Sequence, residues 1–274
     1  MNLGGAHVVV TGGASGIGAA LARRIAREQP SALVVADLDG DAATEVAAEV
    51  EATGVAALGL AADVGREAEI RRLVERAEER FGPVDAFFSN AGVPGPSGGA
   101  EVPDEEWQRI WEINVMAHIW AARVLLPGML ERGRGHLGST ASAAGLLANP
   151  GLMPYSVTKH AALAVAEWLA ITYGGPGSGV GFSCFCPQGV ATPMLETWRE
   201  EDPSSRLASA SGDTITPAEA AAALVAGIEE GRFLILSHPE VQTYVQRKAA
   251  DPERWLAGMQ RFQAQIDQAR AEDS

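Results

Sequence analysis

The sequence predicts an α/β protein built on a doubly wound parallel sheet. Three observations carry this: short β-branched runs alternate with Ala-rich helical stretches, the strands are apolar on both faces, and the first strand runs through a glycine-rich turn directly into a helix. Strands that are apolar on both sides need helices over each side, which is the condition of a parallel sheet rather than of a half-solvated antiparallel one.

In chain order the pattern sets strands at 7–11, 32–36, 55–61 and 84–88, with helices at 16–28, 41–52 and 67–81 between them. The second half continues with a long helix from Asp104 to Glu131, a strand at 133–140, a helix at 152–173 and a strand at 179–186. Gly133, Gly135 and Gly138 lower the strand propensity of 133–140. A polar irregular stretch at 187–216 precedes a helix at 217–229, a strand at Phe233–Leu236 and a helical tail over 239–270. Neither linker nor repeat divides the chain, so residues 1–274 are expected to form a single catalytic domain.

Composition narrows the class. Hydrophobic residues make up 47% of the 274 and charged residues 20%, with no apolar run expected to cross a bilayer, so a globular chain without a membrane partner is predicted. Residues 1–6 lead at once into the first strand, which leaves no room for a cleavable leader, and a cytoplasmic location is expected. The formal charge of -14 argues against a nucleic-acid partner, because that affinity needs clustered Lys and Arg. Cys184 and Cys186 share one face of a strand in a spacing that suits neither a redox pair nor zinc, and read as small buried hydrophobes. His118, His136, His160 and His238 lack ligand spacing, so no metal is implied.

The turn after the first strand reads Thr11-Gly12-Gly13-Ala14-Ser15-Gly16-Ile17-Gly18. A pyrophosphate needs a backbone with no side chain in its way and the positive end of a helix dipole, and Gly12, Gly16 and Gly18 at the helix start meet both needs. A tight turn would also use glycine for sterics alone. The second strand, however, ends at Asp37, 19 residues after Gly18, close to the offset at which an acid meets the adenosine ribose hydroxyls. A carboxylate there accepts from a free 2′-hydroxyl and repels a 2′-phosphate, and no Lys or Arg occurs over 11–18 or 37–44 to receive one. The expected cofactor is NAD rather than NADP.

With this turn the chain resembles the short-chain dehydrogenase/reductase family, whose pattern continues in order. Asp63-Val64 follows the third strand, Asn90-Ala91-Gly92 the fourth, Asn114 lies in the long helix, and Ser142, Tyr155-x-x-x-Lys159 and Pro187 to Thr192 come after. The resemblance covers residues 7–195 and implies a Rossmann-type sheet of about seven parallel strands with helices on both faces, commonly assembled into tetramers through two long helices. It implies cofactor contacts from Gly12, Ser15, Gly16, Ile17 and Gly18, from Asp37 at the ribose, from Asp63 and Val64 at adenine, and from Asn90, Ala91 and Gly92 beneath the cofactor. Pro187, Val190 and Thr192 fall where the family holds the nicotinamide carboxamide, and Lys159 where it holds the ribose.

Hydride transfer at a carbon bearing oxygen requires a proton to move at that oxygen, and a free tyrosine with a pKa of about 10 is a poor base near neutrality. Tyr155 and Lys159 are four residues apart, so on a helix they share a face, and an ammonium near the phenol favours the phenolate. Ser142, 13 residues upstream, is able to return to the same substrate oxygen. By resemblance Tyr155 is the general acid/base, Lys159 its modulator, Ser142 the substrate's orienter and Asn114 the ligand of a water that contacts Lys159. A buried helical Asn also serves merely to satisfy backbone groups.

Spacing alone does not single out this pair. The chain has two lysines, and both follow a tyrosine by four residues; Tyr244 and Lys248 are expected in a charged, solvated tail helix without a partner serine. The chain also departs from the family at Gln188, which stands where a glycine is usual, with Gly189 next to it as a source of backbone freedom. Substrate choice is expected in a lid over 193–216, through Met194, Leu195, Trp198 and Leu207, with Leu146, Leu147 and Met153 beside the catalytic segment. An apolar secondary alcohol or ketone follows as substrate. The rivals are an NADPH-dependent ketoreductase acting on acyl or keto substrates, disfavoured by Asp37, and a non-catalytic NAD sensor, which has no need of a tuned phenol.

Overall fold

The computed structural model describes residues 1–201 and 213–272. The first strand, β1 (His7–Thr11), is buried throughout and passes through the glycine turn into α1 (Gly16–Ala26). Then follow β2 (Ala32–Asp37), α2 (Gly40–Glu51), β3 (Ala56–Ala61), α3 (Glu67–Phe81) and β4 (Ala86–Ser89). The second half contributes α4 (Asp104–Trp111), α5 (Ala117–Arg132), β5 (Gly135–Thr140), α6 (Met153–Tyr173), β6 (Val180–Cys186) and α7 (Pro193–Glu201). The last described elements are α8 (Pro217–Glu229), β7 (Leu234–Leu236), α9 (Glu240–Ala250) and α10 (Pro252–Glu272).

Seven strands make one sheet in the order β3-β2-β1-β4-β5-β6-β7, with every neighbouring pair parallel. Alternation along the strands splits the core in two. Val8, Val10, Leu33 and Val35 pack with residues of α1, α2 and α8 on one face, while Val9, Val34 and Phe87 pack with α3 and α5 on the other. Both faces are dry, as the unbroken apolar strands require. The order in which strands are added reverses between β1 and β4, so the crevice beyond their carboxyl ends is where a parallel sheet of this kind opens to a ligand.

Three elements differ from the sequence reading. The long helix is interrupted by a π-helical turn at Glu112–Met116, where Asn114 turns its carboxamide onto the loop after β4. Asn114 Nδ2 donates to Val93 O at 2.9 Å and its Oδ1 accepts from Val93 N at 2.9 Å, a pairing that favours the extra residue in the turn. The run Asp104–Arg132 contains an 18-residue window with a mean hydropathy of 1.3, long and apolar enough to cross a membrane, contrary to the expectation that no stretch would be; half of that window is buried in the core. Second, the supposedly irregular 187–216 contains α7, opened by Pro193 in its first turn and by Thr192 Oγ1, which accepts from Leu195 N at 3.4 Å. Residues 202–212 of that lid, Leu207 included, lie outside the described residues.

Third, the tail is two helices rather than one. Asp251 leaves the helical conformation (φ -151°), its Oδ1 accepts from Arg254 N at 3.0 Å, and Pro252 begins α10. The tail is not a solvated appendage. Lys248 Nζ donates to Leu146 O at 2.9 Å, which ties α9 to the loop after β5, and residues of both tail helices line the cavity described next.

Candidate active site

The glycine turn shapes the first part of the site. Gly12 has φ +61°, a conformation that costs an ordinary residue energy, and a Cβ on Gly18 would stand 1.9 Å from Gly12 O. Ser15 precedes α1 without making a capping hydrogen bond, so the first N–H groups of that helix are left for an anionic ligand. Asp37 closes β2 beside them. Its Oδ2 accepts from Ala14 N at 3.0 Å and its Oδ1 from Asp39 N at 3.2 Å, so the carboxylate fixes the turn's shape. The edge continues through Ala62 N, which donates to Asp37 O at 2.7 Å, to Asp63, whose Oδ1 accepts from Gly65 N at 3.0 Å, and to the buried Val64.

Asn90 locks three strand ends together. Its Nδ2 donates to Thr11 O at 3.0 Å, and its Oδ1 accepts from Thr140 Oγ1 at 3.2 Å. Ala91 N donates to Thr11 Oγ1 at 3.3 Å. Gly92 then passes between Asn114 and Lys159; a Cβ there would be 3.1 Å from Asn114 Oδ1 and 3.1 Å from Lys159 Nζ. Asn114 itself is fully buried, and its hydrogen bonds go to Val93 and, at 3.2 Å, to Thr158 Oγ1. These are the backbone-satisfying contacts of the plainer reading, made within reach of the lysine.

Ser142, Tyr155 and Lys159 converge at the ends of β5 and α6. Ser142 Oγ accepts from Ala144 N at 3.1 Å and lies near enough to the Tyr155 phenol to pull its pKa down. Ala143 N donates to Pro187 O at 2.8 Å, which joins this loop to the end of β6. Lys159 is 3% exposed, donates from Nζ to Thr140 O at 3.1 Å, and has that nitrogen 5.7 Å from the centre of the Tyr155 ring. Burial lowers the Lys159 pKa to about 8. Burial also raises the Tyr155 phenol above its ordinary value, against the downward pull of Ser142. Here the structure departs from the simple expectation of an ammonium-stabilised phenolate: desolvation is the larger effect on both groups.

A cavity of about 460 Å³ opens over Tyr155 and Ser142, within the size range of small-molecule sites. Ile17, Pro187, Val190 and Thr192 line the side toward the glycine turn, where Thr192 Cγ2 lies 3.1 Å from the place of a Cβ on Gly16. Met194, Leu195 and Trp198 line it from α7, with Trp198 Nε1 donating to Ser97 Oγ at 3.4 Å. Leu147 also lines it, whereas Leu146 and Met153 do not. Gln188 is in the wall, and its neighbour Gly189 does not use a left-handed backbone: Gly189 O accepts from Ile215 N at 3.0 Å and Ala191 N donates to Ile215 O at 2.9 Å, so a bridge to the segment before α8 shapes this turn.

The sequence reading missed the far wall. Tyr244 and Arg247 from α9 and Trp255, Met259 and Phe262 from α10 face the cavity. The apolar i, i+4, i+7 spacing of the last three was a legible signal of a packed face. Tyr244, set aside as solvated, is a wall residue; its Lys248 is an anchor.

A glycine-turn cradle that opens onto a serine, a tyrosine and a lysine at the carboxyl edge of a parallel sheet defines an oxidoreductase dependent on a nicotinamide dinucleotide. The chain belongs to the short chain dehydrogenase family, which it matches over residues 6–203. It is 39% identical over 246 residues to the 1-deoxy-11-beta-hydroxypentalenate dehydrogenase of Streptomyces exfoliatus, covering 88% of this chain and 86% of that protein. It is 30% identical over 263 residues to the human (Homo sapiens) 17-beta-hydroxysteroid dehydrogenase 13, covering 96% of this chain and 84% of that one. Among solved structures, a short chain dehydrogenase/reductase from Burkholderia phymatum in complex with NAD superposes with a TM-score of 0.84 at 31% identity, over 92% of this chain and 96% of the other.

The buried lysine has a consequence for stability. Because its pKa is lowered from 10.5 to about 8, the folded protein disfavours the charged form below pH 8, and stability rises as pH climbs from about 8 toward 10.5, where the unfolded chain binds the proton that the folded one has released. Lys159→Met is expected to abolish turnover yet raise unfolding stability at pH 7, by roughly 1 kcal/mol or more, with the gain shrinking by pH 10. Urea unfolding at the two pH values checks both sign and trend.

Proposed function

We propose that the chain is a single cytoplasmic catalytic domain, assembled as a homo-oligomer, that moves hydride between NAD and a bulky, apolar secondary alcohol or its ketone. One observation carries this: Tyr155, beside Ser142 and close to the Lys159 cation, opens onto an apolar cavity that continues to the glycine turn. Bound NAD supplies the hydride acceptor. In oxidation Tyr155 Oη takes the hydroxyl proton as the carbinol hydride leaves; in reduction it returns that proton to the carbonyl oxygen. Ser142 Oγ orients the same oxygen, and Lys159, packed beside Gly92, favours the phenolate electrostatically and would hold the ribose of bound NAD. Asn114 holds the Val93 backbone and thereby the floor beside Lys159. Met194, Leu195 and Trp198 grip the apolar body of the substrate. The dehydrogenases similar to this chain carry hydroxylated polycyclic compounds in their names, which supports that substrate class. The two buried, unbridged thiols support a reducing location.

Phenylalanine at 155 removes the proton carrier and keeps the ring. Tyr155→Phe is expected to lower kcat roughly a thousandfold while NAD affinity changes little. NADH absorbance with a panel of polycyclic secondary alcohols, beside cofactor titration, tests this; full activity in the variant would end the mechanism.

Cofactor preference rests on Asp37 and on the exposed Leu38 beside it, 76% open to solvent. NAD should be preferred over NADP by on the order of 100-fold in kcat/KM, and the double variant Asp37→Ser, Leu38→Arg should narrow or reverse that ratio by trading a repelling charge for a 2′-phosphate receiver. Steady-state kinetics with both cofactors decides, and a wild-type preference for NADP would overturn it.

Support for the oligomer lies on the outer face of α5 and α6, where Ile119, Leu126, Leu130 and Val165 line a hollow beside Trp168, which is 58% exposed. A monomer rarely leaves such a patch to water. Sedimentation at micromolar concentration should give a dimer or tetramer, and Trp168→Glu should shift it toward smaller species. A monomeric wild type would refute the assembly.

A further inference from the structure

We infer that Arg247, at the mouth of the cavity, receives a carboxylate carried by the substrate at the end away from the reacting carbon; this rests on the proposed oxidoreductase reading and adds the chemical class of its substrate. The protein has 35 acidic residues against 21 basic ones, yet among the described residues that line the cavity no carboxylate occurs and Arg247 is the single charged side chain. Among the described residues, an acidic protein thus presents a cation and no anion in this wall.

The position of Arg247 is fixed from below. On α9 it stands three residues after Tyr244, which lines the same cavity, and one before Lys248, whose Nζ is held by Leu146 O at 2.9 Å. That hydrogen bond sets the rotation of the helix, so the guanidinium side of α9 faces the mouth. The Arg247 side chain forms neither a hydrogen bond nor an ion pair with the described residues, and it is exposed. Its donors are therefore available to a ligand. Tyr155 and Ser142 line the same cavity, with Leu147, Leu195, Trp198 and Phe262 among its apolar walls.

A molecule that satisfies all three parts is amphipathic: a hydroxyl or ketone at Tyr155, an apolar body along the walls and an anion at the mouth. A planar guanidinium fork suits a carboxylate, which it binds through two parallel N–H···O bonds. Because the contact lies at an exposed mouth, its contribution is moderate and salt-sensitive.

The test uses the full-length enzyme saturated with NAD, in the Tyr155→Phe background so that the ligand is bound without turnover. The probes are lithocholate, a polycyclic secondary alcohol with one carboxylate, and its uncharged methyl ester, followed by the fluorescence of Trp198 and Trp255 in the cavity wall. The carboxylate should bind about tenfold tighter than the ester, with the difference shrinking at high salt. Arg247→Met should bring the carboxylate down to the affinity of the ester and leave the ester unchanged, and Arg247→Lys should retain part of the difference. Equal affinity of the two probes, binding of neither, or an acid-to-ester ratio unaltered in Arg247→Met would overturn the inference. A parallel assay of NADH formation from neutral polycyclic secondary alcohols, in otherwise wild-type protein with and without Arg247→Met, separates the two readings: turnover there with no Arg247 effect on the probes removes only the carboxylate, whereas no turnover of any alcohol removes the oxidoreductase reading itself.

Discussion

Helix α6 lies so close against the loop after β5 that a Cβ on Gly145 would stand 2.5 Å from the Lys159 carbonyl oxygen. This backbone-to-backbone contact brings the first turns of α6 over the end of the sheet, where Thr140 O accepts from the lysine ammonium. A buried cation is expensive unless an acceptor is already in position, and a carbonyl at a strand end is an acceptor that does not need to reorganise. Ser142 follows from the same geometry. It sits two residues beyond Thr140, where the chain leaves β5 and turns back toward Tyr155, so serine, tyrosine and lysine are consequences of one packed junction rather than three separate placements.

The second half of the site depends on that junction through Asn90. By donating to the end of β1 and accepting from Thr140 at the end of β5, Asn90 bridges the point where the sheet changes winding direction. The glycine turn and the lysine are thereby held on one frame. A flexible link there would let the glycine turn drift relative to Tyr155, and the proposed hydride transfer tolerates little misplacement.

The parts of this arrangement that are local in sequence were legible, and those that depend on long-range docking were not. The strands were visible because burial on both faces leaves unbroken apolar runs, and the glycine turn because its steric demands admit few residues. Tyr155 and Lys159 were legible by their context but not by their spacing, which Tyr244 and Lys248 repeat. The reason for the misjudged tail is specific. Lys248 and Arg247 look like a solvated helix face, yet one of them satisfies a loop carbonyl 102 residues away and the other faces a cavity whose other walls come from the loops after β5 and β6 and from α6, α7 and α10. Charge in a local window says nothing about a distant acceptor. The Asp251-Pro252 break and the spacing of Trp255, Met259 and Phe262 were the available signals, and they speak for two packed helices. The interruption at Asn114 had no such signal, since its cause is the Val93 backbone on another loop.

Two kinds of wall therefore enclose the same cavity. The wall that carries the chemistry is fixed by strand ends and by backbone contacts that a single added methyl group would disrupt, so its residues have little freedom to change without loss of the fold. The wall formed by α7, α9 and α10 rests on side-chain contacts and on isolated hydrogen bonds such as those of Trp198 with Ser97 and Lys248 with Leu146. Because the Leu146 carbonyl lies four residues beyond Ser142, the second of these bonds reports the position of the catalytic loop directly to the tail. A substrate that pushes α9 outward must stretch that bond or carry the loop with it. On the proposed mechanism, recognition at the tail is in this way mechanically joined to Ser142, and a molecule that fills the apolar wall poorly forgoes part of the alignment on which proton transfer depends.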